Sequence, residues 1–162
     1  MPNSQPDAIQ AVVFRLGAEF FALPVTMVRE ILDYRDAFHM PGAPDWLMGL
    51  TDVRGASVPM VDLRRRLGMP SVEVDATTRV LVVEAAGMGR AGGALVLGLV
   101  VDKVCDVCGF AGNAREDIPD IGARWQADYI RAVMRRDDGF VLLLDIAGIL
   151  ADADLIPLDT AA

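Results

Sequence analysis

The chain has 162 residues, 53% of them hydrophobic, with a net charge of −8 and an isoelectric point near 4.5. That length suits one compact domain or two small joined barrels, and the acidic balance opposes a nucleic-acid surface, which needs concentrated positive charge. The N-terminus MPNSQPDAIQ lacks the order of a signal peptide and the longest apolar run, residues 91–101, is about half of what a bilayer needs, so a cytoplasmic protein without membrane insertion is expected.

Taken in chain order, the elements are mostly strands. Residues 11–24, AVVFRLGAEFFALP, form two apolar runs about Gly17 and predict a hairpin. Residues 25–32, VTMVREIL, set Val25, Val28 and Ile31 three apart, which fits a short helix or an irregular strand. The lone histidine, His39, lies in the Pro/Gly-rich DAFHMPGAP without a nucleophile or an orienting group to make it a general base. Residues 49–63, GLTDVRGASVPMVDL, predict a strand, a turn at Arg54 and Gly55, and a second strand ending at Asp62, which caps the short helix LRRRLG.

Residues 78–86, TRVLVVEAA, predict the next strand, followed by Gly87, Gly89 and Gly92 in G-x-G-x-x-G spacing. A dinucleotide site requires those glycines to open a helix whose N-terminus receives the pyrophosphate. Residues 94–107, ALVLGLVVDKVCDV, are valine-rich strand material, so the glycines belong to a hairpin tip and no cofactor is expected. Cys105 and Cys108 form a single C-x-x-C. Zinc needs about four ligands, a redox pair needs a helix N-terminus, and residues three apart in a strand face opposite sides, so two ordinary reduced thiols are expected. Residues 117–126 read as a loop, and YIRAVMRRDDGFVLLLDIAGIL, residues 129–150, repeats the order of strand, turn, strand, aspartate and short helix. Long helical patterns are absent and the fold class is mainly β.

Two segments align without a gap. Asp145 minus Asp62 is an offset of 83, which also pairs Trp46 with Tyr129, Leu47 with Ile130, Val61 with Leu144, Leu63 with Ile146 and Leu67 with Leu150. An offset of 76 sets the segment from Leu23 against that from Leu99. These echoes predict a duplicated small-barrel plan, although any two hairpins ending in an aspartate-capped helix share much of the pattern.

FRLGAEFFALPVTMVREIL, GLTDVRGASVPMVDLRRRLG, TRVLVVE, GLVVDKVCDV and the block from Tyr129 to Leu150, in that order, resemble the CheW family of bacterial chemotaxis adaptors. The resemblance implies two intertwined five-stranded SH3-like β-barrels with short connecting and terminal helices, in one domain over residues 11–150 between a flexible N-terminus (1–10) and a C-terminal tail (151–162). It implies no enzymatic activity. It further implies a role in coupling the cytoplasmic tips of methyl-accepting chemoreceptors to the regulatory domain of the histidine kinase CheA, in arrays at the inner membrane. A module of the same fold in a non-flagellar chemosensory system, with pili or a second messenger as output, is the alternative.

Carried over residue by residue, the family's loop N-L-R-G stands here as Asp52, Val53, Arg54 and Gly55. In the family this loop lies near the groove for the receptor hairpin, and Gly49 and Val28 match positions at or beside that groove. Arg54 has two readings: a tie between the barrels through carbonyls or a carboxylate such as Asp62 or Asp102, or a direct partner contact. Asp52 places a charge where the family has a neutral amide.

Overall fold

The computed structural model describes residues 8–111, 115–116, 129–136 and 139–150. The chain forms β1 (Ile9–Leu16), β2 (Glu19–Pro24), a 3-10 turn (Val25–Met27), β3 (Val28–Asp33), β4 (Leu47–Val53), β5 (Ala56–Asp62), α1 (Leu63–Arg66) and β6 (Arg79–Ala85). After a 3-10 turn at Arg90–Gly92 come β7 (Leu95–Val101), β8 (Lys103–Phe110), β9 (Arg115–Glu116), β10 (Ile130–Arg136), β11 (Gly139–Leu144) and α2 (Ile146–Ile149). β1 starts at Ile9, inside the stretch expected to be an N-terminal tail. The segment VTMVREIL divides into the 3-10 turn and a strand, and the loop expected at 117–126 lies outside the described residues.

The strands assemble into two sheets. One runs β3-β6-β7-β5-β4, and the other β8-β1-β2-β11-β10, extended by the two-residue β9. The first is built from continuous chain, whereas the second joins the N-terminal hairpin to the C-terminal one through the parallel pair Leu142 with Phe21 and Leu143 with Ala22. Its counterpart in the first sheet is the parallel pair Met60 with Gly98 and Val61 with Leu99. Both five-stranded plans are therefore the same, and the two halves are intertwined.

Side-chain alternation explains why the strands read as unbroken apolar runs. On β1, Val12, Phe14 and Leu16 point into a central core shared by the sheets, while Ala11 and Val13 point into a second cluster within their own half. On β6, Leu81, Val83 and Ala85 face the shared core, and Val80 and Val82 face the other half's interior with Met60 and Val100. Both faces of these strands are dry, and each fully buried Leu or Phe contributes roughly 1.5–3 kcal/mol. The half interiors are narrow. A Cβ on Gly98 would sit 2.8 Å from Val80 Cγ1, and the position related by the offset of 76 is the small, buried Ala22.

The duplication read from the sequence is present atom by atom. Asp62 N donates to Trp46 O at 2.7 Å and Asp145 N to Tyr129 O at 2.8 Å. Asp62 Oδ1 accepts from Arg65 N at 3.4 Å and Asp145 Oδ1 from Gly148 N at 3.2 Å, so each aspartate caps the single helical turn behind it. The offset of 76 holds as well, since Val28 pairs with Val83 on β6 as Val104 pairs with Phe14 on β1. The Arg66 guanidinium lies 5.1 Å from the Trp46 ring and 5.8 Å from its counterpart Tyr129, and Nε donates to Ile149 O at 2.8 Å.

The glycine-rich stretch is the tip of the antiparallel β6–β7 hairpin, with Ala85 opposite Leu95 and positive φ at Gly87, Ala91 and Gly92. It opens no helix for a pyrophosphate. The cysteines require a correction. Both pack against the interior cluster of their half, because the β1–β8 register shifts where Val13 pairs with Asp106 and Phe14 with Val104, leaving Cys105 in a bulge. The bulge resets the alternation, so residues three apart share a side. Neither cysteine is in a disulfide; Cys108 Sγ donates to Asp106 Oδ1 at 3.3 Å and accepts from Arg136 Nη1 at 3.5 Å, and burial pushes the Cys105 thiol above its ordinary pKa.

Candidate docking surface at the β4–β5 turn

Val53 pairs with Ala56, leaving Arg54 and Gly55 as a two-residue hairpin loop with φ of 53° and 86°. Positive φ at both positions is the signature of a type I′ turn, which suits strand twist but normally excludes a residue like arginine from the first position. Asp52 supports the turn from its flank: its Oδ1 accepts from Gly55 N at 2.9 Å. The Asp52 carbonyl accepts from Arg35 Nη1 at 2.7 Å, which ties the turn to the segment after β3.

From this position the Arg54 side chain reaches β3. Nε donates to Glu30 Oε2 at 3.1 Å and Nη2 to Oε1 at 3.0 Å, a two-pronged pair. The Arg54 hydrogen bond, with help from the charges of Arg29 and Arg35, holds the Glu30 carboxyl below its ordinary range. Arg54 is held above its own by the same bond. The arginine side chain is 79% exposed and the glutamate 24%, so the pair presents a guanidinium to solvent in a fixed orientation. It also joins the first and last strands of its sheet, β3 and β4, which carry no mutual ladder.

A second link between those edges explains Gly49. The segment beyond β3 meets β4 where Phe38 N donates to Leu50 O at 2.6 Å and Leu50 N donates to Phe38 O at 3.0 Å. Gly49 has φ of 140°, and a Cβ there would fall 2.0 Å from Phe38 O. The glycine is the condition for this close backbone approach.

The six residues singled out in the sequence thus divide by exposure. Asp52, Arg54 and Gly55 are on the surface, Val28 is half-buried at the start of β3, and Val53 and Gly49 are buried, with Val53 at 7% exposure. Neither of the carboxylates offered as an Arg54 tie is its partner. Asp102 is paired with Arg64, whose Nη2 lies 2.6 Å from Oδ2, and Asp62 caps α1 while accepting from Ser71 Oγ at 2.7 Å. The residue missed is Glu30. On β3 a bulge between Val28 and Glu30 turns Val28 to the shared core, while Glu30 and Leu32 keep a common half-buried side, and a half-buried acid beside apolar residues needs a partner.

Among the described residues no group of three or more His, Cys, Asp or Glu side chains has the geometry to hold a metal, and no helix is long and apolar enough to cross a membrane. Two equivalent all-β halves and a shared apolar core define the class: a duplicated SH3-like domain. The chain belongs to the CheW-like domain family, whose model it matches over residues 10–154. It is 31% identical to the chemotaxis protein CheW of Rhizobium meliloti over 85% of this chain and 84% of that protein. It is 30% identical to Protein PilI of Pseudomonas aeruginosa over 86% of this chain and 76% of that protein. The crystal structure of the scaffolding protein TtCheW from Thermoanaerobacter tengcongensis superimposes with a TM-score of 0.74 at 24% identity, covering 85% of this chain and 88% of that one, a likeness of fold.

Proposed function

We propose that this protein is a non-enzymatic chemotaxis adaptor that couples the cytoplasmic tips of methyl-accepting chemoreceptors to the regulatory domain of the histidine kinase CheA, in receptor arrays on the cytoplasmic face of the inner membrane. The observation that carries the reading is the displayed Arg54, clamped by Glu30 at the exposed end of β4, within a chain that matches the CheW-like family from residue 10 to residue 154. Such a surface binds through shape, burial and oriented hydrogen bonds and needs no bond-making chemistry. Asp52, Arg54 and Gly55 supply the exposed part and Val28 the adjoining apolar part, while Gly49 and Val53 hold the strand that carries them.

A second reading, a module of a non-flagellar chemosensory system, is favoured by the match to Protein PilI, whose 30% identity is close to the 31% of the Rhizobium meliloti protein although less of its length is covered, 76% against 84%. Co-sedimentation of the purified protein with receptor-tip fragments and with kinase regulatory domains from its host tests both. Binding to a receptor tip and to a kinase supports the adaptor, and the set of receptors captured chooses between the two outputs. Binding to neither class of partner refutes the adaptor role.

A further inference from the structure

The chain passes between the two sheets twice, from β2 to β3 through residues 25–27 and from β7 to β8 through Asp102. The offset of 76 makes these passages equivalent, with Thr26 in the place of Asp102 (102 minus 76 is 26). Their chemistry differs. Asp102 Oδ2 accepts from Gly17 N in the β1–β2 turn at 2.7 Å and from Arg64 Nη2 at 2.6 Å, and Arg64 Nε lies 2.9 Å from Oδ1. The Asp102 backbone is held too: its N donates to Arg15 O at 3.1 Å, and its carbonyl accepts from Thr77 Oγ1 at 2.9 Å. Arg64 Nη1 donates to Pro70 O at 3.0 Å, so the guanidinium is fixed from behind.

Gly17 fits the arrangement twice over. It has φ of 64°, and a Cβ there would lie 3.3 Å from Arg64 Nη2. Asp102 therefore sits between a turn of one sheet and the helix that follows a strand of the other. At the equivalent passage, Val25, Thr26 and Met27 make no side-chain hydrogen bond or ion pair among the described residues, and the 3-10 turn is closed by the backbone bond from Val28 N to Val25 O.

We propose that Asp102, Arg64 and Gly17 form a latch that stiffens one of the two passages between the halves and leaves the other, residues 25–27, as the compliant joint at which the halves adjust their relative setting. The latch does not depend on the adaptor reading. On that reading, a partner seated at Val28 presses on the joint itself, because Val28 is the residue at which the joint ends.

Amide hydrogen exchange followed by NMR tests the latch. In the wild type, the amides of residues 25–28 exchange roughly tenfold or more faster than those of Gly17 and Asp102. In Asp102→Asn, which keeps an oxygen acceptor but loses the charge pair, exchange at Gly17 and at position 102 rises roughly tenfold, well beyond the rise that the lost global stability produces at core amides of β1 and β6 and at residues 25–28. Arg64→Gln gives the same pattern and serves as the readout should the aspartate variant not fold. Equal wild-type rates at the two passages overturn the proposal. So does acceleration at Gly17 that only matches the core, or failure of both variants to fold, since either shows a residue of global stability rather than a latch.

Discussion

Gly49→Ala tests whether the close approach at Phe38 holds β3 and β4 together. The new methyl carbon would begin 2.0 Å from Phe38 O and 2.6 Å from Phe38 C, whereas carbon–oxygen contacts settle at about 3.3 Å or more. The segment around Phe38 must retreat by more than roughly 1 Å, which breaks the bonds at 2.6 and 3.0 Å to Leu50. Two backbone hydrogen bonds at about 1 kcal/mol each, with about 1–3 kcal/mol for an alanine held at positive φ, give a loss of at least about 3 kcal/mol. For a chain of 162 residues, each kcal/mol corresponds to roughly 2–4 °C, so Tm falls by about 6 °C or more in calorimetry. Binding to a receptor tip, measured well below the mutant's Tm, is weakened no more than this loosening of the edge explains. A Tm within about 2 °C of wild type refutes the steric argument. Loss of binding at unchanged Tm assigns Gly49 to a contact surface instead.

Arg54→Glu sets a carboxylate against Glu30, but the pair is so exposed that Tm stays near wild type while receptor binding falls; the double variant Glu30→Arg with Arg54→Glu rebuilds the ion pair with the charges exchanged. Binding restored by the exchange shows that the pair acts by shaping the turn, and binding still lost shows that the arginine itself is read by the partner. Asp52→Asn retains an Oδ1 acceptor for the Gly55 amide, so melting is unchanged and the range of receptors captured shifts; an identical range shows that this charge carries no selectivity. Partial burial raises the Asp102 carboxyl, but the bonds from Arg64 and the Gly17 amide outweigh it and hold the group below the ordinary value of 3.8, with Asp75 opposing them. The folded-state value is the depressed one, so this contribution is complete above about pH 4 and is lost as pH falls through the folded-state value. A melting series in acid should therefore be steeper for wild type than for Asp102→Asn, and parallel curves would contradict it.

The repeat is legible because its marks are local. An aspartate before a short helix caps it wherever the turn occurs, and the pairs Trp46 with Tyr129 and Leu63 with Ile146 keep one spacing because the two hairpins have equal lengths. The turn at Arg54 and Gly55 is legible for the same reason, as is the hairpin around Gly87 and Gly92. What the sequence leaves open depends on contacts made at long range. Sequence reasoning offers Asp62 and Asp102 as partners of Arg54, yet the curl of the sheet delivers Glu30, and Asp102 goes to Arg64, an arginine ten residues further along (64 minus 54 is 10). The facing of Cys105 depends on a bulge set by register with β1, which no alternation rule contains.

The intertwining of the sheets also orders the events of synthesis. β1 and β2 leave the ribosome before the other strands, whereas their parallel partner β11 follows all of β3 to β10. The intervening sheet from Val28 to Val101 is continuous and can close as soon as it has emerged, offering Leu81, Val83 and Leu99 as a surface on which Val12, Phe14 and Leu23 can wait. Ala22 and Val13 gain only the cover of Phe110 and its neighbours on β8 until Val141 and Leu143 arrive. A nascent chain halted anywhere between β8 and β11 therefore carries a finished half and an open hairpin edge, the form in which this protein is most exposed to exchanging its first two strands with a neighbour.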